Sequence, residues 1–225
     1  MSNVVIIDYG MGNLLSVCRA FEHLGAKVVL TDSGKTVENA DRVVLPGVGA
    51  FADGMKGLRD RGLVDSIKKY ALNNRPFLGI CLGMQMMFEI SEEFGNHKGL
   101  CLIKGRVVAI LKTGAEGRPH KIPHIGWNSL LIPYIRKSWN DTIFADVAPE
   151  ESVYFVHSFV VVPKNEENNL AYCEYNGIKL CAAIKSGNMY GCQFHPEKSG
   201  DVGLRIIKKF LTLAVLTGHR ELQYG

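Results

Sequence analysis

Residues 75–89, RPFLGICLGMQMMFE, decide how the chain is read. Residues 76–80 are a short apolar run of the length that fills a buried strand, and 82–89 are rich in Leu, Met, Gln and Phe, which favour helix. The junction is Gly79-Ile80-Cys81-Leu82-Gly83. A glycine two places to either side of one reactive residue suits a sharp strand-to-helix turn, because a Cβ there would collide with neighbouring backbone. Such a turn pushes Cys81 out at the strand tip. The free N–H groups and positive dipole end of the following helix favour its thiolate. Free cysteines in α/β cores are commonly small buried hydrophobes, so the motif alone leaves both readings open.

A second segment, residues 190–197, YGCQFHPE, ends an apolar strand in His195 and places Glu197 just past a proline. A catalytic thiol needs a base within hydrogen-bond reach, and the base needs a third group to hold its tautomer. An isolated His-x-Glu pair is usually a surface accident; beside a cysteine elbow it gains weight. A third segment follows an apolar run at 42–45: Pro46-Gly47-Val48-Gly49, whose glycines let backbone N–H groups turn toward a ligand. The segment alone reads as a plain tight turn; beside the elbow, its N–H groups suit an oxyanion hole, which needs donors aimed at developing charge, with the N–H of Leu82 as the natural second donor.

Around these segments the pattern predicts strands at 4–7 and 27–31 and helices over 14–24, stopped by Gly25, and over 50–74. Strands alternating with helices imply right-handed crossovers and a mostly parallel sheet, with Cys81 and Gly47 on one carboxyl edge. Gly10-Met11-Gly12 lacks the third glycine of a dinucleotide fingerprint and is read as a tight turn placing Asn13 at that edge. Residues 91–99 are a polar loop, and 100–128 are strand-rich around an exposed turn at 113–119. His120 and His124, separated by Pro123, do not form a convincing metal-ligand pair. Short strands at 154–157, 159–162, 170–175, 179–184 and 190–194 add antiparallel members. An amphipathic helix over 199–216, capped by Gly218, closes the chain.

A chain of 225 residues suits one α/β domain spanning 1–225. Its net charge of +4 is scattered, with no basic run interleaved with aromatics, which argues against nucleic acid. Six cysteines without short repeated spacing, after a start that lacks a leader pattern, predict a reducing cytoplasm without disulfides. No metal or cofactor is expected. No apolar run approaches the ~20 residues that cross a bilayer.

Residues 45–51, LPGVGAF, 79–85, GICLGMQ, and 193–197, QFHPE, together resemble the class I glutamine amidotransferases. Within that family, residues 8–13, DYGMGN, 125–128, IGWN, and 154–159, YFVHSF, are similar to the glutaminase subunits of imidazole glycerol phosphate synthases. The resemblance runs from the first strand to the last helix. It implies a three-layer fold around a mostly parallel central sheet, and hydrolysis of glutamine by Cys81, His195 and Glu197. It further implies oxyanion donors around Gly47, Val48 and Leu82, with substrate held by Gln85 and the backbone of Ser158 and Phe159. A TIM-barrel cyclase would receive the ammonia and make imidazole glycerol phosphate and AICAR in histidine biosynthesis. Asn13, Trp127, Tyr154 and Lys198 match positions at or near that interface. Rival readings are a paralogous subunit feeding the amidination of a surface sugar, a stand-alone γ-glutamyl hydrolase or peptidase, and a non-enzymatic binding module. Three departures from the family stand out: Cys101 and Cys192 replace small or β-branched residues, and Phe159 replaces a common tyrosine.

Overall fold

Apolar runs of five residues, too short for buried helices, frame the computed structural model, which describes residues 2–215. β1 (Asn3–Ile7) leads through α1 (Leu14–His23) to β2 (Lys27–Thr31), and α2 (Gly34–Glu38) leads on to β3 (Val43–Gly47). Two helices, α3 (Phe51–Asp60) and α4 (Leu63–Leu72), precede β4 (Phe77–Cys81). β3 and β4 are buried along their whole length, as strands covered on both faces must be.

After β4 come α5 (Leu82–Met86), β5 (Phe88–Ser91), β6 (His97–Lys98), β7 (Ile103–Ala109), β8 (His124–Ser129), β9 (Ser152–His157) and β10 (Phe159–Pro163). The chain closes with β11 (Asn169–Tyr175), β12 (Ile178–Ser186), β13 (Met189–Cys192) and α6 (Gly200–Thr212). The main sheet has seven strands in the order β11-β12-β13-β4-β3-β1-β2. From β13 to β2 every pairing is parallel, while β11 and β12 are added antiparallel. Right-handed crossovers place α1 on one face and α2, α3 and α4 on the other. α6 joins α1, with Phe21 and Phe210 edge to face at 6.2 Å between ring centroids. The predicted three layers, with a mostly parallel sheet extended by antiparallel strands, are therefore present. A smaller sheet, β10-β7-β5-β6, and the β8–β9 hairpin flank the carboxyl edge. Among the described residues no helix is long and apolar enough to cross a membrane.

Several element boundaries differ from the sequence reading, each for a local reason. The helical stretch 50–74 breaks at Gly62, which takes a left-handed φ of 65° and starts α4 in a new direction. The helix behind Cys81 ends at Met86 instead of running to 89. Leu100 and Cys101 donate to the carbonyls of Met86 and Phe88, and the chain peels away to pair Phe88 with Ile103. The polar stretch 91–99 contains β6, and α2 had no apolar period to announce it. The last strand stops at Cys192, ahead of 193–194. α6 ends at Thr212, and Gly218 lies outside the described residues.

Candidate active site

Cys81 is the last residue of β4 and the N-cap of α5, with φ 53° and ψ −111°, a conformation that L-residues rarely adopt. Its neighbours impose it. A Cβ on Gly79 would stand 2.8 Å from the backbone of Met84, and one on Gly83 would stand 1.7 Å from the Leu45 carbonyl oxygen. Gly83→Ala must therefore pry α5 from β3. The expected outcome is a loss of about 3 kcal/mol or more, read as a large fall in melting temperature or no soluble protein. A variant melting within a degree or two of wild type would show that the elbow does not need its glycine.

The parallel register gathers the other groups. Gly47 sits opposite Cys81 and Cys192 opposite Ile80, so the residue three beyond Cys192 emerges beside the elbow. That residue is His195. Its Nδ1 donates to Glu197 Oε1 at 2.8 Å, with both side chains almost fully buried. Pro196 begins the short 3₁₀ turn Pro196–Lys198 that folds Glu197 back under the ring. With Nδ1–H bound to Glu197, Nε2 is buried and without a hydrogen-bond partner among the described residues, free to exchange a proton with the thiol. Burial alone would lower the His195 pKa, but Cys81 and Glu197 outweigh it and raise it to about 9.

Cys81 is 6% exposed, and Gln193 Nε2 lies 3.7 Å from its sulfur. It opens into a cavity of about 480 Å³ lined by Val48, Gln85, Glu93, His157, Ser158 and Phe159 among others. Gln85 Nε2 donates to Phe159 O and to Gln193 Oε1, each at 3.1 Å, which commits its amide nitrogen and leaves its oxygen for a ligand. The Ser158 carbonyl accepts from Ile110 N, so the protein already uses the carbonyls of both Ser158 and Phe159. Val48 N–H finds no acceptor among the described residues, and Leu82 N–H is the first of its helix and has no intrahelical partner.

Sequence reasoning gave no role to Gln193, Glu93 or His157. Gln193 lay inside a quoted motif, but nothing in its spacing showed that its amide reaches Cys81. Glu93 looked like part of a polar loop; its carboxylate accepts from Phe51 N at 2.6 Å and is nearly buried in the cavity wall. His157 heads a chain of neutral rings. Its Nδ1 donates to Phe159 O at 2.9 Å, His124 Nδ1 donates to its Nε2 at 3.0 Å, and Asn128 Nδ2 donates to His124 Nε2 at 3.3 Å. The carbonyl end can only accept, so every tautomer follows from it. Burial lowers the pKa of His157 to about 3 and of His124 to about 4.

Asn13 caps α1, its side-chain oxygen accepting from Ser16 N at 3.4 Å. Trp127, 59% exposed, pairs across the β8–β9 hairpin with Tyr154, their rings 6.1 Å apart. Lys198 is exposed at the end of the turn that carries Glu197, and α1 packs against that turn. This surface reaches the site through backbone: Tyr154 O accepts from His195 N at 3.0 Å, and Tyr154 N donates to Ser199 Oγ at 3.0 Å.

A family model for "Glutamine amidotransferase class-I" matches residues 5–214. The chain is 54% identical to imidazole glycerol phosphate synthase subunit HisH 1 of Legionella pneumophila (strain Paris), over 95% of this chain and 100% of that protein. It is 49% identical to subunit HisH of Syntrophotalea carbinolica, over 92% of this chain and 98% of that protein. Among solved structures, a glutamine amidotransferase superposes with a TM-score of 0.68 at 17% identity, covering 93% of this chain and 99% of that one. PurLQS from Thermotoga maritima gives 0.67 at 21% identity, covering 94% and 98%. These two likenesses speak for the fold. By the family model and by identity over nearly its whole length, the chain belongs to the class I glutamine amidotransferases.

Proposed function

We propose that the chain is the glutaminase subunit of an imidazole glycerol phosphate synthase, hydrolysing L-glutamine and passing ammonia to a TIM-barrel cyclase. The observation that carries the chemistry is the buried His195–Glu197 pair beside the strained Cys81 elbow. The high identity to HisH subunits supports the pathway.

His195 takes the Cys81 proton, and the sulfur attacks the side-chain amide carbon of glutamine. Val48 N–H and Leu82 N–H bind the oxyanion, while Gly47 gives the strand end the freedom to present them. His195 returns its proton as the C–N bond breaks, and ammonia departs. Water then attacks the thioester with His195 as base, releasing glutamate and the thiol. The Glu93 carboxylate is placed to meet the substrate's ammonium group. Gln85 Oε1 and the backbone N–H at Ser158 hold the amino-acid end. The loop 46–49 serves as a switch, since its glycines let a peptide plane turn the Val48 N–H toward or away from the oxyanion.

Because the His195 pKa is raised, its proton is held at neutral pH and lost as pH rises through about 9. Activity of the partnered enzyme should fall along that alkaline limb. Glu197→Gln removes one of the raising influences, so the limb should move to lower pH, with reduced kcat and little change in KM. By analogy with other triads, His195→Asn should cost roughly 10⁶-fold in kcat and Glu197→Gln about 100-fold less than that. Equally mild losses in the two variants would overturn the Cys–His–Glu assignment.

The pathway is tested by growth. Expressed in a histidine auxotroph that lacks its own glutaminase subunit, on low ammonium, the chain should restore growth together with the cyclase. No rescue, with ammonia delivered instead to a sugar-amidinating barrel, would move the chain to the paralogous role.

A further inference from the structure

Among the described residues, three buried polar atoms without a hydrogen-bond partner belong to residues around the elbow: His195 Nε2, Glu197 Oε2 and the hydroxyl of Tyr9. The first two belong to residues of the proposed triad. Tyr9 has no part in it. It is only 1% exposed and sits just past β1, at the point where the chain goes to β2 on one side and later returns to β3 on the other. Ligand sites of open parallel sheets form at such switch points.

The hydroxyl is aimed at the oxyanion strand. A Cβ on Gly47 would stand 2.1 Å from Tyr9 Oη, which puts Oη at most about 3.6 Å from Gly47 Cα. Only a glycine leaves room for the phenol. α3 holds the residue from behind: a Cβ on Gly57 would lie 2.6 Å from the Tyr9 carbonyl oxygen and 3.2 Å from its ring. Desolvation, with a smaller contribution from Cys81, raises the Tyr9 pKa, so the hydroxyl keeps its proton and is a donor. A buried donor with nothing to bond destabilises the fold, and such an orphan in a native protein calls for an explanation.

We propose that Tyr9 is a positioning residue for the oxyanion loop: its hydroxyl donates to the Gly47 carbonyl when the Gly47–Val48 peptide turns to aim the Val48 N–H at the oxyanion. One peptide plane carries both groups, so swinging the N–H toward the substrate swings the carbonyl the opposite way. That carbonyl is attached to Gly47 Cα, within reach of Oη. Without Tyr9 the rotated carbonyl would lose its bond and the active orientation its support. The hydroxyl touches no substrate atom and acts only through the loop. This deepens the glutaminase reading and rests on it.

The test compares wild type with Tyr9→Phe, each alone and in complex with the cyclase and its acceptor substrate. Glutamate release by the activated Phe variant should fall about tenfold at unchanged KM, and the ratio of activated to basal rate should shrink with it. Melting of the free chain should stay level or rise, because an unpaired buried hydroxyl has gone. Iodoacetamide alkylation of Cys81, which forms no oxyanion and is read by peptide mass, should keep its rate. Should the Phe variant not fold, Tyr9→Leu also lacks the hydroxyl and should show the same reduced ratio. An unchanged ratio overturns the proposal, as does an equal fall of basal and activated rates with lowered melting. A wild-type complex that releases no glutamate would instead sink the glutaminase reading itself.

Discussion

Cys81→Ser should lower glutamate release by the partnered enzyme at least about 10⁴-fold, with the fold and partner binding intact. The hydroxyl fits wherever the thiol did, and Gly79 and Gly83 still hold the elbow closed. What disappears is an accessible anion at neutral pH. His195, with its pKa raised to about 9, stabilises a thiolate by charge; a serine offers no resting anion and would need a proton-free imidazole as base during the attack, while His195 holds its proton at neutral pH. A serine variant retaining more than a small fraction of the rate would remove Cys81 from the mechanism. Labelling gives an independent measure. Cys101 is exposed, whereas burial pushes the Cys173 thiol up to about 12 and those of Cys181 and Cys192 further. Iodoacetamide should modify Cys81 and Cys101 ahead of these three. A glutamine-shaped electrophile should choose Cys81 alone, because only that thiol opens into the 480 Å³ cavity. Labelling of Cys101 but not Cys81 by that reagent would count against the site.

The elbow was legible because its chemistry is local. Two glycines and a cysteine at fixed spacing dictate one turn, and the turn sets its central residue at the strand tip, facing the cavity. His195 and Glu197 were legible for the same reason, being two residues apart on one bend. What joins them to Cys81 is the pairing of β13 with β4, which brings together parts of the chain more than a hundred residues apart in sequence. The strand patterns made a parallel sheet readable but not the order of its strands. Gln193, Glu93 and the His157–His124 chain were hidden because their roles depend on side-chain reach across elements. A glutamine next to a phenylalanine says nothing about a sulfur that the sheet places 3.7 Å from its amide. Tyr9 was invisible for a sharper reason: its hydroxyl matters through what it lacks, and a missing partner leaves no sequence signal. The helix behind Cys81 was overextended because it was read from the composition of 82–89, which does not mark where a helix ends. Pairing with β7 settled the competition.

The isolated chain should release glutamate very slowly, and the cyclase with its acceptor bound should raise the rate by about 100- to 1000-fold. Ammonia freed into water is protonated and dispersed, so a glutaminase that fires without an acceptor wastes its substrate. A switch of this size needs little machinery. Withdrawing one oxyanion donor costs about 10² to 10³ in rate, and Val48 N–H, which has no acceptor among the described residues, sits in a loop bounded by Gly47 and Gly49. The proposed docking surface has a short path to the triad. Tyr154 accepts from the backbone of His195, Ser199 bridges Tyr154 N to His195 O, and Lys198 continues the turn that carries Glu197. On the opposite strand of the same hairpin Trp127 stands exposed against Tyr154. A partner that presses on this hairpin and on Asn13 at the start of α1 therefore touches elements packed directly on the site. Asn13→Ala, Tyr154→Ala and Lys198→Ala should each reduce the activated rate while leaving basal thioester formation unchanged, since none of these side chains meets the substrate. The measurement is steady-state glutamate release by the chain alone, with cyclase, and with cyclase plus acceptor. Full activity in the first condition would end the gating account and favour a stand-alone hydrolase, and the triad would survive that result because nothing in its geometry requires a partner.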